Sequence, residues 1–283
     1  MTEIGDAPPG VDPTTTSSAR LYDYLLGGTN HFPVDREVAE MMKAAAPDIV
    51  DAVLANRGFH GRAAVWMAHH GITQFIDLGS GLPTQNNTHE SVCRVIPGAR
   101  VVYVDIDPMV AAHATQLLEG DGSTAVITAD LREPEAVLSR PDVLRLIDFG
   151  EPAGVLATDV MHFIGGSFDP WGLIAQYMAA LAPGSYLALS HSTRDNVPAP
   201  NSILDILEKA SVEIYLRPRP EVERFFRGLK LMAPYEGAEP GLTYPGLWGA
   251  EDIAMADSDG SRGFYCGVAQ RPDGFTALSH EGG

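Results

Sequence analysis

Four stretches of this chain read as short, mostly apolar strands, and each carries a carboxylate at its end. They are residues 74–78 (QFIDL, with Asp77), 100–106 (RVVYVDI, with Asp105), 125–130 (AVITAD, with Asp130) and 154–160 (GVLATDV, with Asp159). Segments of helical length separate them: 108–118, then a helical region running to about Ile147. Asp169 and Pro170 form an N-cap and first-turn pair for a further helix to Leu181, closed by Pro183-Gly184 before a fifth strand at 185–190. Repeated β-α-β units of this length imply a parallel sheet covered by helices on both faces. In such sheets ligands bind outside the carboxyl ends of the strands. One or two acids there would only mark where loops begin. Four in succession, the first followed by Gly79-Ser80-Gly81, point to a ligand site.

The remainder arranges itself around this core. Residues 1–17 are rich in Pro, Thr, Ser and Gly without apolar periodicity and read as a mobile, disordered tail. Ser18 is an expected N-cap for a short helix over 19–26 that ends at Gly27-Gly28. Asp35 caps a second helix stopped by Pro47, and a third runs over 48–70 with a break expected at Gly58 or Gly61. Residues 18–71 thus form an N-terminal helical cap on a core spanning 72–272, with 273–283 as a C-terminal tail. Helices are expected over 201–212 and 221–227, and two final strands over 229–232 and 263–270, which brings the sheet to seven.

Charge narrows the partners. With 37 acidic against 19 basic residues, the net charge of −18 repels nucleic acid and anionic membrane surfaces. Arg217, Arg219, Arg224 and Arg227 alternate with Glu221 and Glu223 and read as a solvated helix face. No apolar run approaches the roughly 20 residues of a membrane span, and the acidic start of the chain lacks the order of a secretory signal. Cys93 and Cys266 stand far apart, without disulfide or metal spacing, as suits a cytoplasmic protein. The nine histidines form no metal-binding motif.

The turn Gly79-Ser80-Gly81-Leu82-Pro83-Thr84 is not a pyrophosphate cradle. A dinucleotide fingerprint needs its third glycine where Thr84 stands, and Pro83 interrupts the helix start that would hold the phosphates. Asp77 would repel an anion and attract a cation. A nucleoside bearing a cationic amino-acid portion, without phosphate, suits these residues. No Tyr-x-x-x-Lys pair is present, which further disfavours a nicotinamide oxidoreductase.

At this point the chain resembles the bacterial S-adenosyl methyltransferase family, a class I group once catalogued as a domain of unknown function. The matching stretches are ARLYDYLLGGTNHF (19–32), ANRGF (55–59), QFIDLGSGLPTQNNTHE (74–90), VVYVDIDPMVAAHA (101–114), TADLREPEAVL (128–138), LAPGSYLALSH (181–191), FFRGLKLMAP (225–234) and GFYCGVAQRP (263–272). The resemblance implies an α/β, Rossmann-like class I methyltransferase fold with a mainly parallel seven-stranded sheet, S-adenosyl-L-methionine as cofactor, and methyl transfer to a small-molecule acceptor. It implies that Asp77 and the turn Gly79, Ser80, Gly81, Leu82 and Pro83 hold the methionine portion. Asp105, with Ile106 and Asp107, would hold the ribose; Ala129, Asp130 and Leu131 the adenine; and Thr158, Asp159 and Val160 would lie beside the sulfonium. Tyr22, Asn30, His31, Phe32 and Arg57 are candidates for a flap or an acceptor site, with Gly27-Gly28 as hinge. The alternative for those residues is plain packing of the cap helix.

Methyl transfer from a sulfonium needs alignment above all, and a general base only where the acceptor must lose a proton. His162, beyond the fourth strand, and His191, ending the fifth, are the candidates, each with a structural role as the competing reading. Ser190-His191 with Asp195 lacks the elbow of a hydrolase triad. A non-catalytic cofactor-binding sensor or interaction module stands as the second functional class, since fold and cofactor alone do not establish turnover.

Overall fold

The structure is a computed structural model and describes residues 7–83, 87–117, 122–195, 200–258 and 260–276. Three helices open the chain: α1 (Ser18–Leu25), α2 (Pro33–Ala45) and α3 (Ile49–His69). Then follow β1 (Gln74–Leu78), α4 (Thr88–Cys93), β2 (Arg100–Asp105), α5 (Pro108–Leu117), β3 (Thr124–Thr128), α6 (Pro134–Leu138), α7 (Pro141–Leu146) and β4 (Gly154–Thr158). The second half holds α8 (Pro170–Ala180), β5 (Tyr186–Ser192), α9 (Pro200–Lys209), α10 (Arg219–Glu223), β6 (Lys230–Leu231), α11 (Ile253–Ala256) and β7 (Phe264–Gln270).

The seven strands lie in the order β3-β2-β1-β4-β5-β7-β6. The first five are mutually parallel, and β7 runs antiparallel between β5 and β6. The chain steps outward from β1 to β3 and then returns to β4 beside β1. That reversal opens a crevice over the β1 and β4 carboxyl ends. Side chains alternate between two cores. Ile76, Val102, Val104 and Val155 pack towards Ile174, Tyr177 and Met178 of α8, whereas Phe75, Val101, Tyr103 and Leu156 pack towards Phe59, Ala63 and Met67 of α3. Burial on both faces explains why β1 is apolar along its length except where Asp77 and Gln74 find partners.

Several local expectations shift. The cap of α1 is Ser17, one residue early, whose Oγ accepts from the Arg20 amide. Asp35 lies inside α2 rather than before it, and its carboxylate accepts from the Phe32 amide at 2.8 Å. Helix α3 continues through Gly58 and Gly61; the glycine penalty of about 1 kcal/mol each is offset by burial of its Phe59–Ala68 face against the sheet. The region before Ile147 is two short helices, each begun at a proline. Helix α4 went unrecognised in the sequence, being six residues long without an apolar period of its own.

Residues 7–17, expected as a mobile tail, form a strap across the strand ends; residues 1–6 of that stretch and Thr84 of the glycine turn lie outside the described residues. Ala7 and Val11 pack with Phe32, Leu82, Met109 and Val110. Ser17 Oγ donates a short hydrogen bond to Asp107, and the Ser17 amide donates to Asp35 Oδ1 at 3.1 Å. Arg20 donates to Asp35 Oδ2 at 2.7 Å and to the Thr15 carbonyl. Low apolar periodicity concealed the strap because its few apolar side chains are matched by long-range polar contacts.

Candidate functional site

A cavity of about 650 Å³ lies over the carboxyl ends of β1 to β4. Of the residues expected there, Asp77, Gly79, Ser80, Gly81, Asp105, Ile106, Asp107, Ala129, Asp130, Leu131, Thr158, Asp159 and Val160 line it, together with Tyr22 and Arg57. Leu82 does not: its side chain turns into the apolar cluster beneath the strap, while Pro83 borders a small neighbouring void. Gly79 has φ +65°, and a Cβ there would come within 2.2 Å of Val160, so the turn requires glycine. Gly81 also has φ +65° but faces open space.

Asp77 is 2 % exposed. Its Oδ2 accepts from Thr88 Oγ1 at 2.6 Å. Thr88 in turn meets His60 Nε2 at 2.8 Å, and His60 Nδ1 meets Thr158 Oγ1 at 2.8 Å. Because the Thr88 proton goes to the carboxylate, His60 Nε2 must be the donor to Thr88, and Nδ1 accepts from Thr158. Burial keeps His60 neutral by pushing its pKa well down. Burial pushes Asp77 up to about 7, opposed by the Thr88 hydrogen bond and Arg57 and reinforced by Asp105. His60 and Thr88 were not singled out in the sequence; one lies mid-helix, the other on the unrecognised α4, and no local spacing links them to Asp77.

The next two acids differ in their engagement. Asp105 accepts from the Gly81 amide at 2.8 Å and the Asp107 amide at 2.9 Å, one bond per oxygen, and burial raises its pKa. Each oxygen keeps a second lone pair for a ligand. Ile106, beside it, is 61 % exposed into the cavity, an apolar platform for a flat ring. Asp107 caps α5 through the Met109 amide at 2.8 Å and anchors the strap through Ser17. Asp130 is gripped by the Arg132 guanidinium, at 2.6 Å from Nη2 and 2.9 Å from Nε, which holds its carboxyl below the usual range.

A second cavity, about 230 Å³, adjoins the first and shares Ser18, Tyr22, Asp159, Phe163 and Val212 with it. Its walls are mainly apolar, with Leu21, Leu25, Met42, Ile203, Leu207 and Ile214 among them. His162 lines this second cavity. His191 lines neither: its Nδ1 bonds the Ser192 carbonyl at 2.7 Å, its Nε2 accepts from Arg217 Nη1 at 2.7 Å, and burial pushes its pKa down to about 3. With both ring nitrogens engaged, His191 is a structural residue. Ser190 donates to Asn56 Oδ1 at 2.5 Å, and Asp195 accepts from the Arg219 amide, so no triad forms. Arg217 is 3 % exposed and not on a solvated face. Its guanidinium bonds the Met161 and Ile164 carbonyls and clamps the turn that carries His162.

Asn30, His31 and Phe32 line neither cavity. The Asn30 amide bonds Asp23, His31 is 3 % exposed between Gly28 and Arg36, and Phe32 is fully buried under the Arg20 guanidinium. This packing favours scaffold over a hinged flap. Hydrogen exchange is therefore expected to be equally slow in residues 19–32 with and without ligand, whereas the strap residues 10–17 gain protection on binding. Ligand-dependent protection confined to 19–32 would reinstate the flap.

A sequence profile described as S-adenosyl methyltransferase matches residues 5–272. The chain is similar to a candidate methyltransferase from Thermobifida fusca YX, at 39 % identity and TM-score 0.85 over 94 % of this chain and 98 % of that one. It is also similar to a protein of the DUF574 family from Streptomyces avermitilis MA-4680, at 33 % identity and TM-score 0.84 over 91 % and 98 % respectively. An O-methyltransferase family protein from Burkholderia thailandensis shares the fold at 16 % identity and TM-score 0.51, over 80 % of this chain and 59 % of that one. No curated protein matches the chain.

Proposed function

The chain belongs to the S-adenosyl methyltransferase family and is an S-adenosyl-L-methionine-dependent methyltransferase; we propose that it methylates a small molecule held in the apolar cavity, with the donor in the acid-lined one. The observation that carries this reading is the shared wall at Tyr22, Asp159 and Phe163, where a donor in one compartment can face an acceptor in the other. The residues fit the donor. The larger cavity offers carboxylates and no phosphate cradle, its glycine turn admits a close backbone approach, and Ser80 Oγ is buried without a hydrogen-bond partner among the described residues.

S-adenosyl-L-methionine, when bound, supplies a methyl group already activated on a cationic sulfur. In this reading Asp77, with the Gly79–Gly81 turn, holds the ammonium and carboxylate portion, and His60 and Thr88 keep the Asp77 carboxylate aimed. Asp105 takes the ribose hydroxyls, Ile106 stacks on the adenine, and Asp130 with the Leu131 backbone reads its edge. The apolar walls exclude water, and the acceptor is aligned for in-line displacement. Two free cysteines suit a cytoplasmic setting, and among the described residues no helix is long and apolar enough to cross a membrane.

Asp77 makes cofactor binding depend on pH. Its unliganded carboxyl titrates at about 7, and only the ionised form pairs with an ammonium. Affinity is expected to weaken up to tenfold per unit as pH falls below 7, because binding must then expel a proton. Above about 8 it weakens again as the ligand's own amino group is deprotonated. The sign for the unliganded fold is opposite to that of a salt-bridged acid: a raised carboxyl pKa means stability is lost as pH rises from about 4 to 7. Calorimetric titration across pH 5–9 checks this, and an unchanged acid limb in Asp77→Asn rules out Asp77 as the titrating group. The function itself is tested by transfer of labelled methyl from the donor to a panel of small apolar acceptors. Cofactor binding without transfer to any of them, alongside transfer to macromolecules, overturns the small-molecule reading.

A further inference from the structure

His162 and Asp159 carry a cost that packing does not explain. His162 Nδ1 and Asp159 Oδ1 are both buried without a hydrogen-bond partner among the described residues, and they stand 3.4 Å apart. A buried unsatisfied polar atom costs about 1–3 kcal/mol. Asp159 also holds a left-handed backbone, φ +58°, which is strained for a residue with a side chain. The strain is actively maintained: the Asp159 amide donates to both the carbonyl and Oγ of Ser190, at 3.2 and 3.0 Å, and Ser190 Oγ is tied to Asn56. Asn56 donates to the Tyr22 hydroxyl at 2.9 Å, fixing the neighbouring wall. Arg217 clamps the His162 turn from the other side, and the His191 ring stands edge-on at 5.7 Å. Two separate anchors, the Ser190–Asn56 chain and Arg217, thus hold two unpartnered groups at the wall between donor and acceptor cavities.

The lining of the acceptor cavity narrows what they face. No Lys or Arg is among its described lining residues, while Asp48 and Asp159 are. An anionic acceptor would be buried without a counter-charge, at a prohibitive cost. A cationic acceptor would meet the donor's sulfonium across the same wall. An engineered apolar cavity of about 150 Å³ holds benzene, and this one is roughly half as large again, which suits a bicyclic body.

Resting on the reading that the apolar cavity takes the methyl acceptor, we propose that the Asp159–His162 pair receives the proton of a hydroxyl group on an uncharged, largely apolar acceptor, making this an O-methyltransferase. The acceptor oxygen forms a bond to the methyl carbon as the carbon–sulfur bond breaks, and that electron pair stays on sulfur. The hydroxyl proton passes to the pair, whose net charge rises by the one unit that the sulfur has lost. After the methyl ether leaves, the pair returns the proton to water. Asp159 Oδ1, 3.4 Å from His162 Nδ1, is placed to offset the charge on the ring once the proton arrives.

Binding of probes tests this without relying on turnover. The chain saturated with S-adenosylhomocysteine is titrated calorimetrically with 2-naphthol, naphthalene and 2-naphthoate. The expected order places 2-naphthol first, about three- to tenfold tighter than naphthalene, the worth of one hydrogen bond, with 2-naphthoate at least about 100-fold weaker than 2-naphthol. His162→Phe should abolish the preference for 2-naphthol over naphthalene while still binding naphthalene. Asp159→Asn serves as a second variant should the first fail to fold, and it should reduce the same preference. 2-Naphthoate binding as tightly as 2-naphthol, or a preference unchanged in the variants, overturns the inference alone. Failure of all three probes with S-adenosylhomocysteine bound overturns the cavity as acceptor site, and the inference with it.

Discussion

Replacing Asp105 with alanine is expected to weaken S-adenosyl-L-methionine binding about 100-fold, with only a small change in thermal stability. Each oxygen of Asp105 already accepts one backbone amide, from Gly81 or Asp107, and keeps a free lone pair turned to the cavity. Two ribose hydroxyls can occupy them as charge-assisted hydrogen bonds worth about 1.5–3 kcal/mol each. Water that replaces the carboxylate recovers part of this, leaving about 3 kcal/mol, or roughly two decades in Kd. The fold loses two backbone acceptors but is also relieved of a buried carboxylate whose pKa burial has raised, so the two effects on stability oppose each other. Calorimetry of a folded Asp105→Ala chain measures the outcome; a Kd within threefold of the parent's excludes Asp105 from the ribose site. Asp105→Asn should lose less, since it keeps one acceptor oxygen.

The largest effect on the fold is expected from Asp35→Ala, about 3–5 kcal/mol of destabilisation. Asp35 is fully buried and accepts three hydrogen bonds: from Arg20 at 2.7 Å, from the Phe32 amide at 2.8 Å and from the Ser17 amide at 3.1 Å. Removing it strands a guanidinium that is 3 % exposed and leaves two amides unpaired. For a chain of this length each kcal/mol is worth roughly 2–4 °C in Tm, so a drop of about 10 °C is anticipated. The consequence reaches the site, because Ser17 and Arg20 are what tie the strap to the body of the protein. Cofactor affinity should therefore fall together with stability, though no atom of Asp35 lines either cavity. A Tm within 2 °C of the parent's would show that the buried pair contributes little beyond an apolar replacement. The double variant Arg20→Met, Asp35→Leu should regain much of the lost stability, as buried ion pairs often tolerate joint apolar replacement.

How much of this was legible before any coordinates can be read residue by residue. The five parallel strands and the crevice over them followed from apolar runs punctuated by glycine and proline, and the acids at the ends of the first four strands marked the mouth. Strand periodicity is a local property, and a parallel sheet places every strand's carboxyl end on one edge, so local reading was enough to converge Asp77, Asp105, Asp130 and Asp159 on one cavity. Leu82 shows where that logic stops: it lies in the same turn as Gly81, but its side chain follows the apolar cluster beneath the strap. His162 and His191 were indistinguishable as candidates, one just beyond a strand and the other ending one. Only the partner 26 residues away, Arg217, consumes the free nitrogen of His191 and leaves His162 to line the apolar cavity.

What the amino-acid order made legible was the class of fold and the acid-lined rim over the strand ends, since both rest on patterns repeated through successive β-α units, while the S-adenosyl-L-methionine donor followed from the resemblance of the whole motif series to the family. Tertiary structure alone decided the strap over the mouth, through Ser17 meeting Asp107 90 residues on; the His60 bridge, through Thr158 98 residues on; and the strained wall at Asp159, through Ser190 reaching Asn56 134 residues back. A hydrogen bond between side chains depends on where two backbones lie to within a fraction of an ångström. That placement comes from the packing of the whole sheet and its helices, and leaves no periodic trace in the chain near either partner.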